Sequence, residues 1–145
     1  FQYGREDHAA CRKLLRYGLT TVSVLAPILF VLIFFFAPQI VRTYLSHASS
    51  ELVEYSIHAF RRYSISYLLV GFNIVIGGFL TALERPLPAI SISVGRGLVL
   101  QSAVLLLFAA VFGGEALWYT PILSEAMCLC LSLVFLRSYR REHAA

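Results

Sequence analysis

Glu125 is the residue whose type and position point most directly to chemistry. It lies near the middle of Ala116–Leu136, a stretch with no other charge. On insertion scales a bare carboxylate at the centre of a membrane helix costs about 2.5 kcal/mol or more, so an acid there is turned inward, paired or protonated. Pro121 stands one turn earlier and loosens the helix beside it. Two readings are open. Glu125 contacts a proton, a cation or a substrate, or it makes an inter-helix hydrogen bond that only fixes helix positions. Its own stretch offers no cation, and no intramembrane cationic partner is evident.

A second polar set lies earlier. Ser66, Asn73, Gly77, Thr81 and Glu84 recur at spacings of three, four and seven, which aligns them on one helical stripe. Such a stripe lines a cavity, or it is a small-residue face where Gly admits a close neighbour and Asn bonds across the contact. Gly77 fits the contact role better; Asn73 fits both. Arg96 and Gln101 are weaker candidates. Gln101 and Ser102 sit about a turn past Arg96 and suit inter-helix bonding, while Arg96 suits snorkelling toward water or head groups. His58 falls outside the apolar runs, and Tyr119 suits an aromatic belt. There is no Gly-rich phosphate loop, no paired-carboxylate set and no nucleophile triad, so an enzyme reading has little support. Cys11, Cys128 and Cys130 form no disulfide framework, and Cys128 and Cys130 lack the His partners of a metal site. No cofactor is expected.

The elements that must carry these residues are set by composition. The 145-residue chain is 59% hydrophobic and only 14% charged, with a mean hydropathy of +0.75. A soluble domain usually has about a quarter charged residues. This chain cannot cover its apolar surface in water and reads as an integral membrane protein. The apolar runs are long and continuous rather than alternating, which argues for helices and against strands. Four spans are expected, at about 17–41, 63–83, 88–112 and 116–136. Tyr17 to Val41 is uncharged for 25 residues and Tyr63 to Leu83 for 21, each enough to cross a bilayer core of ~30 Å. Thr20, Ser23 and Pro27 share one face of the first span, which is expected to meet protein. Pro38 and Gln39 open a short amphipathic piece ending at Leu45. Ser46 to Ser50 is a turn, with Ser49 or Ser50 placed to cap the next helix. Glu51 to Arg62 is an interfacial approach segment. Pro86 and Pro88 follow Glu84 and Arg85 and enforce a tight turn. Gly113, Gly114 and Glu115 make the last turn.

Charge then sets orientation. Residues 1–16, the Arg85 turn with Arg96, and the 137–145 tail hold nine of the twelve basic residues; Arg42, Arg61 and Arg62 lie on the other side. The side richer in basic residues is cytoplasmic, so both ends face the cytoplasm. The net charge of +4 marks these loops and is no sign of nucleic acid. The first residue is Phe, and no signal peptide is visible, so further sequence is expected upstream.

Several stretches together resemble the multidrug and toxic compound extrusion (MATE) transporters. They are Phe1-Gln2-Tyr3-Gly4-Arg5-Glu6 with Cys11-Arg12-Lys13; Gly71-Phe72-Asn73 with Gly77-Gly78-Phe79 and Ala82-Leu83-Glu84-Arg85-Pro86; Ser91 to Leu98 around Arg96; and Trp118-Tyr119-Thr120-Pro121-Ile122-Leu123-Ser124-Glu125. The resemblance covers nearly the whole chain in order. It implies helices nine to twelve, part of the C-terminal lobe of a twelve-helix, two-lobe transporter. It implies export of cationic amphipathic drugs or toxic organic cations, coupled to uptake of H+ or Na+, in a cell membrane of bacterial inner-membrane type. The partners implied are lipid, the drugs and an N-terminal lobe. Gln2 stands where the family usually has Asn, Glu84 where it has Gly, and Gly97 where Gln is frequent. Some members place a coupling acid in the tenth helix; here that helix offers only Ser66, Asn73 and Thr81, so their sodium site does not carry over. The expectation is an all-α polytopic membrane helix bundle from a multidrug antiporter, with Glu125 and Asn73 facing its cavity and Arg96 and Gln101 in support. The alternatives are a lipid-linked saccharide flippase of the same superfamily and a non-transporting four-helix module.

Overall fold

The structure is a computed structural model and describes residues 8–84 and 86–142. Phe1 to Glu6, Arg85 and the end of the tail, which carry part of the resemblance and of the charge count, lie outside the described residues. The chain is helical throughout, with no strand among the described residues.

Helix α1 runs from His8 to Tyr44. It therefore takes in the polar segment before Tyr17 and passes both Pro27 and Pro38 without a break. Each proline lacks an N–H and frees the carbonyl four residues earlier. At Pro38 that carbonyl belongs to Phe34, and Arg61 of the next helix donates its Nε–H to it at 3.2 Å. The Arg61 guanidinium also lies 4.9 Å from the centre of the Phe34 ring. A distant cation thus takes up the freed carbonyl, and the amphipathic piece expected after Pro38 is the last turns of α1. The face of Thr20, Ser23 and Pro27 is exposed rather than covered by protein. Both hydroxyls bond back to carbonyls one turn earlier, Thr20 to Arg16 and Ser23 to Leu19, so neither requires a neighbouring helix.

Helix α2 spans Ser50–Ser64, with Ser49 as N-cap accepting from the Leu52 N–H at 3.4 Å. Glu51 lies in its first turn and Arg61 and Arg62 in its last, matching the helix dipole. Helix α3 covers Tyr67–Ala82. Between them the axis bends by about 40°. The break falls at Ile65 and Ser66, where a continuous span from Tyr63 is expected. Ser64 donates to the Arg61 carbonyl at 2.7 Å and Ser66 to that of Tyr63 at 2.8 Å, so side-chain hydroxyls hold carbonyls around the bend.

The turn after α3 contains Glu84 at φ 55°. This left-handed conformation costs a non-glycine residue about 1–2 kcal/mol. A long rod follows: α4 from Pro86 to Val94, a π-helical segment from Gly95 to Leu100, and α5 from Gln101 to Val111. Gly113, at φ 77°, turns the chain into a 3-10 segment, Gly114–Tyr119, and α6 completes the fold from Thr120 to Glu142.

Helix α3 sits at the centre and packs on α1 and α6. Leu15, Ile76, Leu80, Ala89, Ile92, Cys128 and Leu136 form the main core. Cys11, Leu83 and Tyr139 close one end, with Phe79 edge-on to Tyr139 at 5.6 Å. The tightest approach is between α1 and α3: a Cβ on Gly71 would stand 2.9 Å from Val22, and one on Gly18 3.0 Å from Val75. Gly77 meets only an ordinary contact with Ile92. The outer faces carry exposed Leu25, Leu29, Leu32, Phe36, Leu106 and Val134, a surface suited to lipid. Three helices are long and apolar enough to cross a membrane, or four if α2 and α3 form one bent span. The fold is an all-α membrane helix bundle.

Candidate functional site

Asn73 lies in the middle of α3 and is 1% exposed. A buried amide must satisfy two donors and an acceptor. Asn73 does so entirely against α6: its Nδ2 donates to the Glu125 carbonyl at 3.0 Å and to Glu125 Oε2 at 2.8 Å, and its Oδ1 accepts from Ser132 at 3.1 Å. The Glu125 carboxylate is thereby fixed by one oxygen.

Its other oxygen, Oε1, faces Arg96 Nη1 at 3.9 Å. That is within ion-pair reach but too long for a hydrogen bond. Arg96 is the second residue of the π-helical segment, and its side chain reaches Glu125 on α6. The expectation that Glu125 has no evident cationic partner is corrected here, because Arg96 pairs with it. The Arg96 side chain is 32% exposed and that of Glu125 12%, so the pair sits at the edge of the bundle with the acid on the inner side.

Gln101, at the start of α5, joins through Ser124. The Ser124 hydroxyl lies 2.6 Å from Gln101 Oε1 and 3.1 Å from the Pro121 carbonyl, with one proton for two acceptors. The structure therefore brings Asn73, Arg96 and Glu125 into contact and places Gln101 beside them through the residue next to Glu125. Thr81 and Glu84, from the same predicted stripe as Asn73, are exposed and apart from the group, and Thr81 bonds back to the Gly77 carbonyl. Ser124 and Ser132 are absent from the sequence-based candidates. Ser132 was detectable, because it stands seven residues after Glu125 on the same helical face.

Beside Gln101 is a cavity of about 450 Å³ lined by Tyr55, Tyr63, Gln101, Leu105, Trp118 and Pro121. Trp118 donates its indole N–H to the Tyr55 hydroxyl at 2.8 Å and meets that ring edge-on. Tyr119 carries Arg62 over its ring at 5.7 Å. A larger cavity, about 650 Å³, lies between α1 and α2 near Arg42, Glu54, His58 and Arg61, away from Glu125. We place the site at Glu125 because there, among the described residues, polar side chains from α3 and the π-helical segment converge on one carboxylate of α6.

A family model described as MatE matches residues 1–107. The chain belongs to the MatE family. No curated protein and no solved structure matches it. MatE proteins are membrane transporters, so the chain is placed among transporters rather than enzymes. The matched range holds Asn73, Arg96 and Gln101 and ends within α5; Ser124, Glu125 and Ser132 on α6 lie beyond it.

Proposed function

We propose that this MatE chain supplies part of a multidrug efflux antiporter that exports cationic amphipathic compounds in exchange for protons or sodium ions. The carrying observation is the unequal environment of the Glu125 carboxylate. Asn73 pins Oε2 at 2.8 Å, whereas among the described residues Oε1 meets only Arg96, at 3.9 Å. An acid held in place by one oxygen and open at the other suits reversible capture of a proton or cation. The adjoining aromatic cavity, with Tyr55, Tyr63 and Trp118, fits the body of an amphipathic ligand. In this reading both ends of the segment are cytoplasmic, α1 to α6 correspond to helices nine to twelve of a two-lobe transporter, and the membrane is a bacterial inner membrane.

The test is Glu125→Gln in the full-length protein, read as ethidium efflux from cells. Export should fall by at least about tenfold, equivalent to ~1.4 kcal/mol, while membrane insertion is kept. Undiminished export by an inserted variant would remove Glu125 from coupling and binding alike.

A second reading rests on Arg96, the more exposed partner of the pair. A lipid-linked saccharide flippase handles an anionic diphosphate, and a guanidinium suits that group. Under this reading Arg96→Gln abolishes lipid flipping and Glu125→Gln does not.

A further inference from the structure

We infer that Arg96 is a tethered counter-ion occupying the place on Glu125 that the exported cation takes, so that ligand binds by displacing it. The inference rests on the reading of Glu125 as the exchanging acid.

Four observations support it. The Arg96–Glu125 pair is not closed: 3.9 Å separates the charged atoms, where a charge-assisted hydrogen bond would be about 2.7–2.9 Å. The carboxylate does not depend on Arg96 for its position, because Asn73 holds the other oxygen and Ser132 holds Asn73. Loss of the guanidinium from Oε1 therefore leaves the acid in place. There is also open space beside the residues flanking Arg96. Gly95 and Gly97 flank it; a Cβ on Gly97 would meet nothing within 4 Å, and one on Gly95 would touch only Leu131 at 3.8 Å. Finally, Arg96 belongs to a π-helical segment, a local deformation that recurs at functional sites and breaks the regular helical ladder.

Tyr63 and Cys128 also lie within electrostatic reach of Glu125, and both are neutral when protonated. Among the described residues Arg96 is the one cation paired with it. With Arg96 in place the site carries no net charge, and an arriving organic cation meets a positive group at the mouth. With Arg96 swung aside, the same ligand finds an uncompensated carboxylate. One cation replaces another on one acid, so the charge of the site is the same before and after ligand binding. The ligand class follows: monovalent organic cations compete with Arg96, whereas neutral analogues of the same shape do not.

Binding of tetraphenylphosphonium to the full-length protein in nanodiscs tests this. An internal competitor that holds the site nine-tenths of the time lowers apparent affinity about tenfold, so Arg96→Gln should tighten binding by about that factor. Arg96→Lys, which retains a tethered cation, should stay near wild type, and Glu125→Gln should lose binding. Should Arg96→Gln fail to purify as a folded protein, Arg96→Met supplies the same comparison with an uncharged chain of similar length. Unchanged or weakened binding in the uncharged variants, with binding still lost in Glu125→Gln, overturns the counter-ion role alone. Wild-type binding by Glu125→Gln overturns the reading of the acid, and this inference with it.

Discussion

Asn73 decides the geometry of the site at the scale of single residues. Its three hydrogen bonds all reach α6, two to Glu125 and one from Ser132. Asn73→Ala leaves the Glu125 Oε2 without its donor and the Ser132 hydroxyl without its acceptor, which costs about 1–3 kcal/mol in this setting. Ser132→Ala removes one donor from a still-bonded amide and should cost about 0.5–1.5 kcal/mol. Thermal unfolding of the two variants in detergent should therefore rank them in that order, with export reduced in Asn73→Ala. Wild-type stability and export in Asn73→Ala would show that the amide does not hold the acid. Glu125 itself was legible without coordinates, because the cost of a carboxylate deep in an apolar run follows from residue type and position alone. Its partners were not. Whether Arg96 faces lipid, head groups or α6 depends on helix rotation, and the π-helical segment changes that rotation by an amount that no apolar periodicity reveals.

Prolines and hydroxyls shape the elements. Arg61 completes α1 by bonding the Phe34 carbonyl that Pro38 frees. The two residues should therefore be coupled. Arg61→Gln is expected to cost about 1–3 kcal/mol with Pro38 present and clearly less in a Pro38→Ala background, where a backbone N–H takes the carbonyl back. Additive losses in the double-mutant cycle would refute the link. Uncharged runs announced the helices from Tyr17 onward, since burial of charge is the dominant penalty in lipid. Continuity through Pro38 was hidden, because the compensating Arg61 lies 27 positions from the Phe34 carbonyl it bonds. The break at Ile65 and Ser66 was equally hidden: it has no Pro or Gly, and two serine hydroxyls bonded to nearby carbonyls mark it instead.

At the scale of the whole molecule, most of the apolar surface looks outward. Of the most apolar window of α1 only 6% is buried inside this chain, as for Leu87–Val111, against 28% for Ala116–Tyr139. Lipid covers such faces without difficulty, but lipid cannot serve the Arg96–Glu125 edge, where a third of the Arg96 side chain remains exposed. On the proposed antiporter reading that edge must open to each side of the membrane in turn, and the described helices packed around α3 offer no second bundle against which to rock. On the proposed two-lobe reading the opposing surface is a second helix bundle of matching pattern. The 145-residue segment, reconstituted alone in liposomes, should insert yet mediate no ethidium flux above protein-free vesicles. The full-length protein in parallel vesicles should carry ethidium when a proton or sodium gradient is imposed. Gradient-driven flux through the segment alone would contradict the two-lobe reading and locate a complete pathway within these helices.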